Sequence, residues 1–396
     1  MKNYKLHVSD GFKDIYGDTI IVTKEVENIV LNTFTSFGYE MIKTPGLEYL
    51  DVYSLGGSQK PDLYNLINRQ GEVLSLRNDM TSSVARFVST NNSLKPGTLK
   101  YCYSQDTYRY PRLYQGKNHQ FLQAGVELIG EDSMESDVSV IYLANKALLN
   151  CNCKKFTINI GSSLFLETLC EDFKINKEIQ EDIYNSIQNK DYITLREILS
   201  SNLDSDKASF IIDLMMRGGK LSYIEKLMKR LEGTKSYKVL DYLKNIYLEL
   251  EALDVKSIIF DFSIYSYAEY YTGIIFKIFV DNVTKEVVSG GRCNTLFKEY
   301  GKDLPNCGFG LDIDVLSSYV LSNNLIDIKK EKYLAYQGGK LFTRVIKGNE
   351  KLRSEGVIVS LVVLDDLAKA MEYAKNHGFT KVITYTENDY TLKEVA

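Results

Sequence analysis

The stretch YSQDTYRYPRLYQGKNHQFLQAGVELIG, residues Tyr103–Gly130, consists of two runs typical of β-strands, joined by a polar loop that carries Gly116. The first run ends at Arg109, and the second extends from Gln120 to Ile129. Two short extended runs on either side of a glycine-containing loop predict a β-hairpin. The other predicted elements are placed relative to this hairpin.

The second run alternates in polarity, and alternate residues of a strand lie on one face. The residues expected to be buried are apolar: Leu122, Ala124, Val126 and Leu128. The opposite face carries Gln123 and Glu127 with Gly125 between them. At ~3.3 Å per residue the two polar residues lie about 13 Å apart. Because Gly125 has no side chain, this face is expected to leave room for a ligand.

Arg109 leaves the first strand nearby, so a cation, an amide and a carboxylate are expected to converge over a glycine. A carboxylate can bind an ammonium group, and a planar guanidinium can bind a carboxylate or a phosphate. The pattern is therefore what a site for a small zwitterion needs. The alternative is an edge hairpin whose polar residues are simply solvated.

The same stretch resembles motif 2 of class II aminoacyl-tRNA synthetases, in the form used by histidyl-tRNA synthetases. Tyr108-Arg109, Gln120–Gln123 and Glu127 match that motif in order and spacing. The family's glutamate two residues after the arginine is absent, because Pro111 stands there. The resemblance implies an α+β fold, with an antiparallel sheet flanked by helices.

The composition is that of a soluble globular protein, with 44% hydrophobic and 25% charged residues. Its 396 residues suffice for two or three domains. A formal net charge of −4 does not favour a broad nucleic-acid surface. The sequence predicts neither a membrane span nor a signal peptide. A cytoplasmic location is therefore expected.

The sequence gives no indication of a metal site or a disulfide framework. The six cysteines are scattered, and Cys151-x-Cys153 has no matching second pair. Only three histidines occur. Free thiols are expected, and no cofactor is predicted.

A helix is predicted at about 18–37, followed by Gly38, a strand at 39–43 and Pro45. This order resembles motif 1 of the class II family, which builds the homodimer interface there. The resemblance implies a self-dimer formed through this region. A plain connection between a helix and a strand is the alternative.

The segment Arg77–Thr81 resembles the Arg-Pro-Glu-Gly-Thr loop that holds the histidine amino group in the family. Asp79 and Thr81 fall on the acidic and hydroxyl positions. The same residues can also cap the helix that follows. Both interpretations can hold at once.

The family's catalytic-loop arginine falls on Ser266, while Tyr270 and Tyr271 keep the aromatic character of that loop. Gly290-Gly291 resembles a family segment in which glycines let a ligand approach the backbone, although a tight turn would explain them equally well. Gly308–Leu316 resembles motif 3. Its phosphate-binding arginine falls on Val315, and its glycine falls on Asp312.

Three regions are predicted along the chain. Residues 1–325 form the synthetase-like core, with a charged helical insertion at about 165–253. Residues 331–396 alternate between strands and helices and resemble a truncated anticodon-binding domain. This last part is the small C-terminal α/β unit.

Adenylate formation needs positioned cations around a reacting phosphate, and two of the family's arginines are replaced in this chain. The residues matching the histidine site remain: Asp79, Thr81, Arg109, Gln123, Glu127 and Tyr271. The combination of retained histidine-site residues and replaced arginines resembles the sequences of the regulatory subunits of ATP phosphoribosyltransferase. These subunits are paralogues of histidyl-tRNA synthetase and act in the first step of histidine biosynthesis. The resemblance implies a subunit without catalytic residues that forms a hetero-oligomer with a short-form catalytic subunit. L-histidine would be its effector, and tRNA is not expected as a partner.

The hypothesis for the site puts histidine over Gly125, with its amino group at Glu127 and Asp79 or Thr81. Its carboxylate would lie near Arg109 or Gln123, and Tyr270 or Tyr271 would close over the imidazole. A histidine site at a subunit interface stays open. The alternative functions are a divergent histidyl-tRNA synthetase and a binding module that acts on RNA or on another enzyme.

Overall fold

The computed structural model describes residues 4–54, 63–91, 94, 97–110, 118–264, 271–328, 331–336, 342–364, 366–386 and 389–395. The chain divides into two compact units, Met1–Ile326 and Asp327–Ala396. The predictions made for Pro111, Gly116, Ser266 and Tyr270 lie outside the described residues.

The first unit contains ten α-helices among its described residues. They are α1 (Asp18–Ser36), α2 (Thr81–Thr90), α3 (Met134–Asn150), α4 (Ser163–Asp172), α5 (Lys177–Gln188), α6 (Tyr192–Asn202), α7 (Ser205–Met216), α8 (Leu221–Arg230), α9 (Lys235–Ala252) and α10 (Ile313–Ser322). Helix α1 ends where predicted, since Gly38 follows it with a φ of +82°. Helices α4 to α9 follow one another as a block.

The strands of the first unit form two sheets. They are β1 (Glu40–Met41), β2 (Leu47–Tyr49), β3 (Asn65–Ile67), β4 (Val73–Leu76), β5 (Leu99–Tyr108), β6 (Gln120–Ile129), β7 (Phe156–Ser162), β8 (Ile258–Phe260), β9 (Ile274–Val280), β10 (Val288–Arg292) and β11 (Asn306–Asp312). The larger sheet has the order β1-β5-β6-β11-β10-β9-β7-β8, and β2-β4-β3 form the smaller one. The block α4 to α9 lies between β7 and β8 in the chain.

The predicted hairpin is confirmed. Strands β5 and β6 pair antiparallel from Leu99 opposite Ile129 to Tyr108 opposite Gln120. All neighbouring strands of the larger sheet pair antiparallel except at its two ends, where β1 runs parallel to β5 and β8 runs parallel to β7. This is the flanked antiparallel sheet that the synthetase resemblance implied.

The expectation that only one face of β6 would be buried is wrong. Ala124, Val126 and Leu128 are buried as predicted, whereas Leu122 is only half-buried. Glu127 and Ile129 on the other face are buried as well. A second apolar cluster covers that end of the sheet. It contains α2 residues, side chains of β5 and the short 3₁₀ helix at Leu296–Tyr300.

Gly290 and Gly291 lie inside β10, so the alternative interpretation of this pair as a tight turn is wrong. A side chain at Gly290 would overlap the backbone oxygen of Gly308 on the neighbouring strand. The glycines therefore allow β10 and β11 to lie close together with unobstructed backbones.

The second unit is a small α/β fold. It contains β12 (Lys332–Tyr336), α11 (Phe342–Ser354), β13 (Ile358–Val362), α12 (Leu367–Asn376), β14 (Lys381–Tyr385) and β15 (Tyr390–Glu394). Its sheet has the order β13-β12-β14-β15. Strand β15, which pairs antiparallel with β14, was not predicted. The resemblance of this unit to an anticodon-binding domain stays a prediction.

Among the described helices, none is both long enough and apolar enough to cross a membrane.

Candidate functional site

The candidate site lies on one face of the larger sheet, where three neighbouring strands carry glycines in register. Gly125 of β6 pairs with Gly310 of β11, and Glu127 pairs with Gly308. Gly308 in turn pairs with Gly291 of β10. Directly paired residues point to the same face, so these positions form one patch without side chains of their own.

Larger side chains lie flat over these glycines. A Cβ added at Gly308 would come within 2.6 Å of Glu127 Oε2, and one at Gly291 within 2.9 Å of the Tyr271 ring. A Cβ at Gly310 would overlap the Gln123 amide. The glycines thus allow Glu127, Gln123 and Tyr271 to form the floor of the site.

The space over Gly125 is filled by Tyr103. A Cβ at Gly125 would overlap the Tyr103 hydroxyl, because the two residues are paired across β5 and β6. The expectation that this glycine leaves room for a ligand is therefore wrong. A ligand on this face has to lie above the layer of side chains and not directly on the strand.

Glu127 is the centre of the site and is only 1% exposed. Thr81 Oγ1 donates to Glu127 Oε1 at 2.8 Å, and Asn306 Nδ2 donates to Oε2 at 2.8 Å. The pKa of Glu127 is raised to about 7, chiefly by burial and in smaller part by the charge of Asp79, while the two hydrogen bonds act in the opposite direction. The carboxyl therefore changes its charge near neutral pH.

Asp79 is buried beside this carboxyl and also serves the following helix. Its Oδ1 accepts a hydrogen bond from the Ser82 backbone N–H at 3.1 Å. Thr81, which begins α2, bonds to Glu127 instead. The segment thus combines a helix-capping residue with a residue of the site.

Arg109 is exposed at the end of the same sheet face. Its Nε donates to the backbone oxygen of Asn78 at 3.0 Å, and its guanidinium lies 5.1 Å from the centre of the Phe121 ring. Its other two guanidinium nitrogens make no hydrogen bond to a described residue. A planar guanidinium can bind an anionic group through two such nitrogens.

Three amide side-chain oxygens of this region are buried without a hydrogen-bond donor among the described residues. They belong to Asn78, Gln123 and Asn306. A buried acceptor without a partner costs about 1–3 kcal/mol, so such atoms usually bind water or a ligand. Together with the Glu127 carboxylate, they favour a ligand with several N–H donors.

The end of the sheet face that resembles motif 3 is closed by charged side chains. Asp312 Oδ1 accepts from the Val315 backbone N–H at 3.0 Å and so begins α10. Asp312 Oδ2 accepts from Lys285 Nζ at 2.6 Å, and that ammonium lies 5.1 Å from the centre of the Phe121 ring. The position that resembles the glycine of motif 3 thus carries an aspartate paired with a lysine.

The structure brings Asp79, Thr81 and Glu127 together. Gln123 lies four residues before Glu127, on the same face of β6. Tyr271 lies over Gly291 of the neighbouring part of the sheet. Sequence reasoning missed Asn306 and Tyr103. The alternation of β11 could have indicated Asn306, which lies two residues before Gly308 and hence on its face. The described residues contain no group of three or more histidine, cysteine or acidic side chains that could hold a metal ion.

Comparison with known proteins gives one family for nearly the whole chain. The family model described as histidyl-tRNA synthetase matches residues 11–316. A Clostridium kluyveri protein named ATP phosphoribosyltransferase regulatory subunit is 31% identical over 391 residues, 96% of this chain and 100% of that protein. A Thermoanaerobacter pseudethanolicus protein of the same name is 30% identical over 90% of this chain and 94% of its own length.

Solved structures agree on the fold. A Bacillus halodurans protein described as an ATP phosphoribosyltransferase regulatory subunit/histidyl-tRNA synthetase superimposes with a TM-score of 0.83 at 26% identity, over 96% of this chain and 98% of that one. The histidyl-tRNA synthetase of Nostoc has a TM-score of 0.82 at 18% identity, over 98% of this chain and 94% of its own. The likeness to the Nostoc enzyme shows the fold alone.

Proposed function

Since the chain belongs to the family of ATP phosphoribosyltransferase regulatory subunits, which share the fold of histidyl-tRNA synthetases, we propose that it binds L-histidine around Glu127 and transmits this signal to a separate catalytic subunit. As a regulatory subunit it serves the first step of histidine biosynthesis. The alternative of a divergent histidyl-tRNA synthetase is not favoured, because the relatives that match over almost their full length carry the regulatory name.

The observation that carries the histidine site is the buried carboxylate of Glu127 with acceptor oxygens around it. An ammonium group offers three N–H donors, and Glu127 together with Asn306 Oδ1 offers the acceptors it needs. A buried carboxylate binds a cation strongly because little water competes with it.

The proposed orientation follows from the charges. The ammonium group of histidine lies at Glu127, next to Asp79 and Thr81, and its carboxylate lies toward Arg109 or Gln123. The imidazole lies by Tyr271, with Tyr270 as the further aromatic residue of that loop. The ligand rests on the side-chain layer that includes Tyr103.

The absence of catalysis is part of the proposal. Val315 cannot pair with a phosphate, and Lys285, a cation at this end of the face, is already paired with the Asp312 carboxylate. Loss of a positioned cation typically costs about 10²–10³-fold in rate, so efficient adenylate formation is not expected.

A self-dimer through the motif 1 region is supported by the apolar side chains that this region exposes. Ile21 and Phe37 of α1 and its C-terminus, Met41 of β1, and Leu47 and Tyr49 of β2 are all more than a third exposed. Covering such apolar surface stabilises an association between chains. A second copy packed there would cover them.

Coupling between histidine and the catalytic subunit means that binding of one changes the binding free energy of the other, because each favours one of two quaternary arrangements. Such couplings amount to typically 1–3 kcal/mol and are reciprocal. Histidine should therefore change the affinity of this chain for its catalytic subunit by the same factor as the catalytic subunit changes its affinity for histidine.

The function is tested by assaying the short-form catalytic subunit of the same organism alone, with this chain, and with this chain plus L-histidine. Activation by the chain and inhibition by histidine are expected. Histidine-dependent ATP–pyrophosphate exchange by the chain alone should stay at background. Exchange at synthetase rates, with no effect on a folded catalytic subunit, would contradict the proposal and favour the synthetase.

Histidine binding is expected to weaken about tenfold when the pH falls from 8 to 6. With a pKa of about 7, Glu127 is mostly ionised at the higher pH and mostly protonated at the lower one. Only the ionised carboxylate attracts the ammonium group, so binding removes a proton from the protein. Calorimetric titrations across this range measure the effect.

The matched control for this pH dependence is Glu127→Gln, which cannot titrate. The histidine imidazole also titrates in this range, near pH 6.5, and contributes equally to both proteins. A variant whose affinity changes with pH as steeply as that of the unmodified chain would show that Glu127 is not the group responsible.

A further inference from the structure

The outer edge of the sheet in the second unit is a strand with a neighbour on one side only. Strand β15 ends the order β13-β12-β14-β15 and, among the described residues, pairs with β14 alone. Its residues after Tyr390 are all exposed. It contains no proline, and its register against β14 is continuous, without a bulge. Such an edge presents a row of unpaired backbone N–H and C=O groups, to which another strand can add.

The register of β15 shows which of its backbone groups point away from β14. The N–H of Val395 donates to the backbone oxygen of Thr380 on the β14 side at 2.9 Å. In an antiparallel ladder, residues that bond to one neighbour alternate with residues whose N–H and C=O groups point to the other side. The outward-pointing residues are therefore Tyr390, Leu392 and Glu394.

We infer that β15 pairs with the β15 strand of a second copy of this chain, antiparallel about a twofold axis at Leu392. In this register, Leu392 lies opposite Leu392 of the second copy, Tyr390 lies opposite Glu394, and Thr391 lies opposite Lys393. The outward residues of each copy then face the outward residues of the other, so their N–H and C=O groups find partners. The same strand serves both copies, as a twofold interface requires.

The charges of β15 favour this direction and register. Lys393 meets the hydroxyl-bearing Thr391 of the second copy, and Glu394 meets Tyr390. A parallel pairing in register would place Lys393 beside Lys393 and Glu394 beside Glu394, and like charges directly opposite each other destabilise a sheet. The antiparallel pairing is therefore the arrangement in which no like charges lie opposite each other.

The apolar side chains favour the same pairing. Leu392 is 42% exposed and lies opposite the buried Ile383 of β14, on the face where Tyr390 packs against the apolar cluster of the unit. Side chains directly opposite in an antiparallel pair have Cβ atoms about 4.5–5.5 Å apart. The two Leu392 side chains would thus cover each other and continue this cluster from one copy to the next. This surface differs from the motif 1 region, and the inference does not depend on the histidine site.

The inference is tested by disulfide trapping in the full chain. One chain carries Thr391→Cys, and a second chain, co-expressed with a tag of different mass, carries Lys393→Cys. The two positions lie opposite each other as a pair without backbone hydrogen bonds between them, with Cα atoms about 4.5 Å apart, which a disulfide spans. Since the six natural cysteines are all buried, cross-linking in a glutathione buffer reports the introduced thiols.

Co-expression of the two variants is expected to give at least about tenfold more covalent dimer than either variant expressed alone. Each variant alone is the matched control, because Thr391 lies two residues out of register with Thr391 of the second copy, and the same holds for Lys393. The covalent product should carry both tags. Mass spectrometry of the linked peptides identifies the bond.

Adding Leu392→Pro to both chains is expected to abolish this product. Proline removes an outward N–H and leaves the hydrogen bonds to β14 in place, so it is tolerated at an edge position of this kind. Thermal unfolding followed by circular dichroism should therefore match that of the same chains without the proline. That match shows that the cross-link is lost from folded protein.

Two results would overturn the inference. Equal yields from the mixed and the single variants would mean that the thiols meet by chance collision. A mixed sample without covalent dimer would leave this edge to solvent or to a strand of another protein. Neither result bears on histidine binding, which is measured in separate experiments on the first unit.

Discussion

A Glu127→Ala variant is expected to bind L-histidine roughly 30-fold or more weakly than the unmodified chain. Removing one partner of a desolvated charge pair costs about 2–5 kcal/mol, which corresponds to this loss or a larger one. In the mixed assay, the variant should still activate the catalytic subunit, because Glu127 lies 1% exposed inside the first unit and not on its surface. Inhibition by histidine should then need a correspondingly higher concentration.

The variant also removes the acceptor of two buried hydrogen bonds, so its folding has to be checked. Thr81 and Asn306 both donate to this carboxylate. Glu127→Gln keeps the shape of the side chain, removes the charge and replaces one of the two acceptor oxygens by an N–H donor. It should lose affinity for histidine and lose less thermal stability than Glu127→Ala does.

Glu135→Ala, on the exposed side of the first turn of α3, is the control for loss of a surface glutamate. It should leave both histidine affinity and inhibition unchanged. Unchanged histidine affinity in both Glu127 variants would exclude this pocket. A histidine site at a subunit interface would then be the better explanation of any feedback.

The elements that could be predicted from the sequence are those whose residue pattern lies within one short stretch of the chain. The alternation from Leu122 to Ile129 and the helical spacing in α1 depend on neighbouring residues, so β6 and α1 could be recognised without knowledge of the rest. Strand β15 was missed because it is only five residues long, at 390–394, and is mostly exposed. It is held by its backbone pairing with β14, which a single sequence does not reveal.

The site could be predicted only as far as its residues lie in recognisable segments. Asp79, Thr81 and Glu127 were found because each belongs to a stretch that resembles the synthetases. The contact between Glu127 and Asn306 joins residues 179 positions apart and depends on the register of β6 against β11. Tyr103 fills the space at Gly125 because the two residues are paired across β5 and β6. The presence of a glycine in the sequence does not show which neighbouring side chain occupies the space above it.

Arg292→Ala is expected to destabilise the chain by about 3–5 kcal/mol, because it breaks a buried ion pair. Arg292 is 4% exposed, and its Nη2 lies 2.7 Å from Asp137 Oδ1, a carboxylate of α3 that is fully buried. Its guanidinium also donates to the backbone oxygens of Glu131 and Ser133. Removing the cation leaves the Asp137 charge without its counter-ion, and an uncompensated buried charge is the main source of the cost.

Chemical denaturation followed by circular dichroism or tyrosine fluorescence measures this loss, since the chain has 29 tyrosines and no tryptophan. The matched control is Arg217→Ala, whose partner Asp213 lies at a similar 2.7 Å but in an exposed pair. Exposed pairs contribute about 0–1 kcal/mol, so this variant should unfold almost as the unmodified chain does.

The double variant Arg292→Met with Asp137→Leu tests whether the loss of stability in Arg292→Ala comes from the unpaired buried charge. If the cost comes from an unpaired buried charge, replacing both partners by apolar residues should recover much of the stability, because the desolvation of the pair is removed as well. The hydroxyl of Tyr242, which donates to Asp137 Oδ2 at 2.5 Å, would then lose its acceptor and limit the recovery. If Arg292→Ala were as stable as Arg217→Ala, the contacts of Asp137 in α3 with Arg292 in β10 and Tyr242 in α9 would not be important for the stability of this unit.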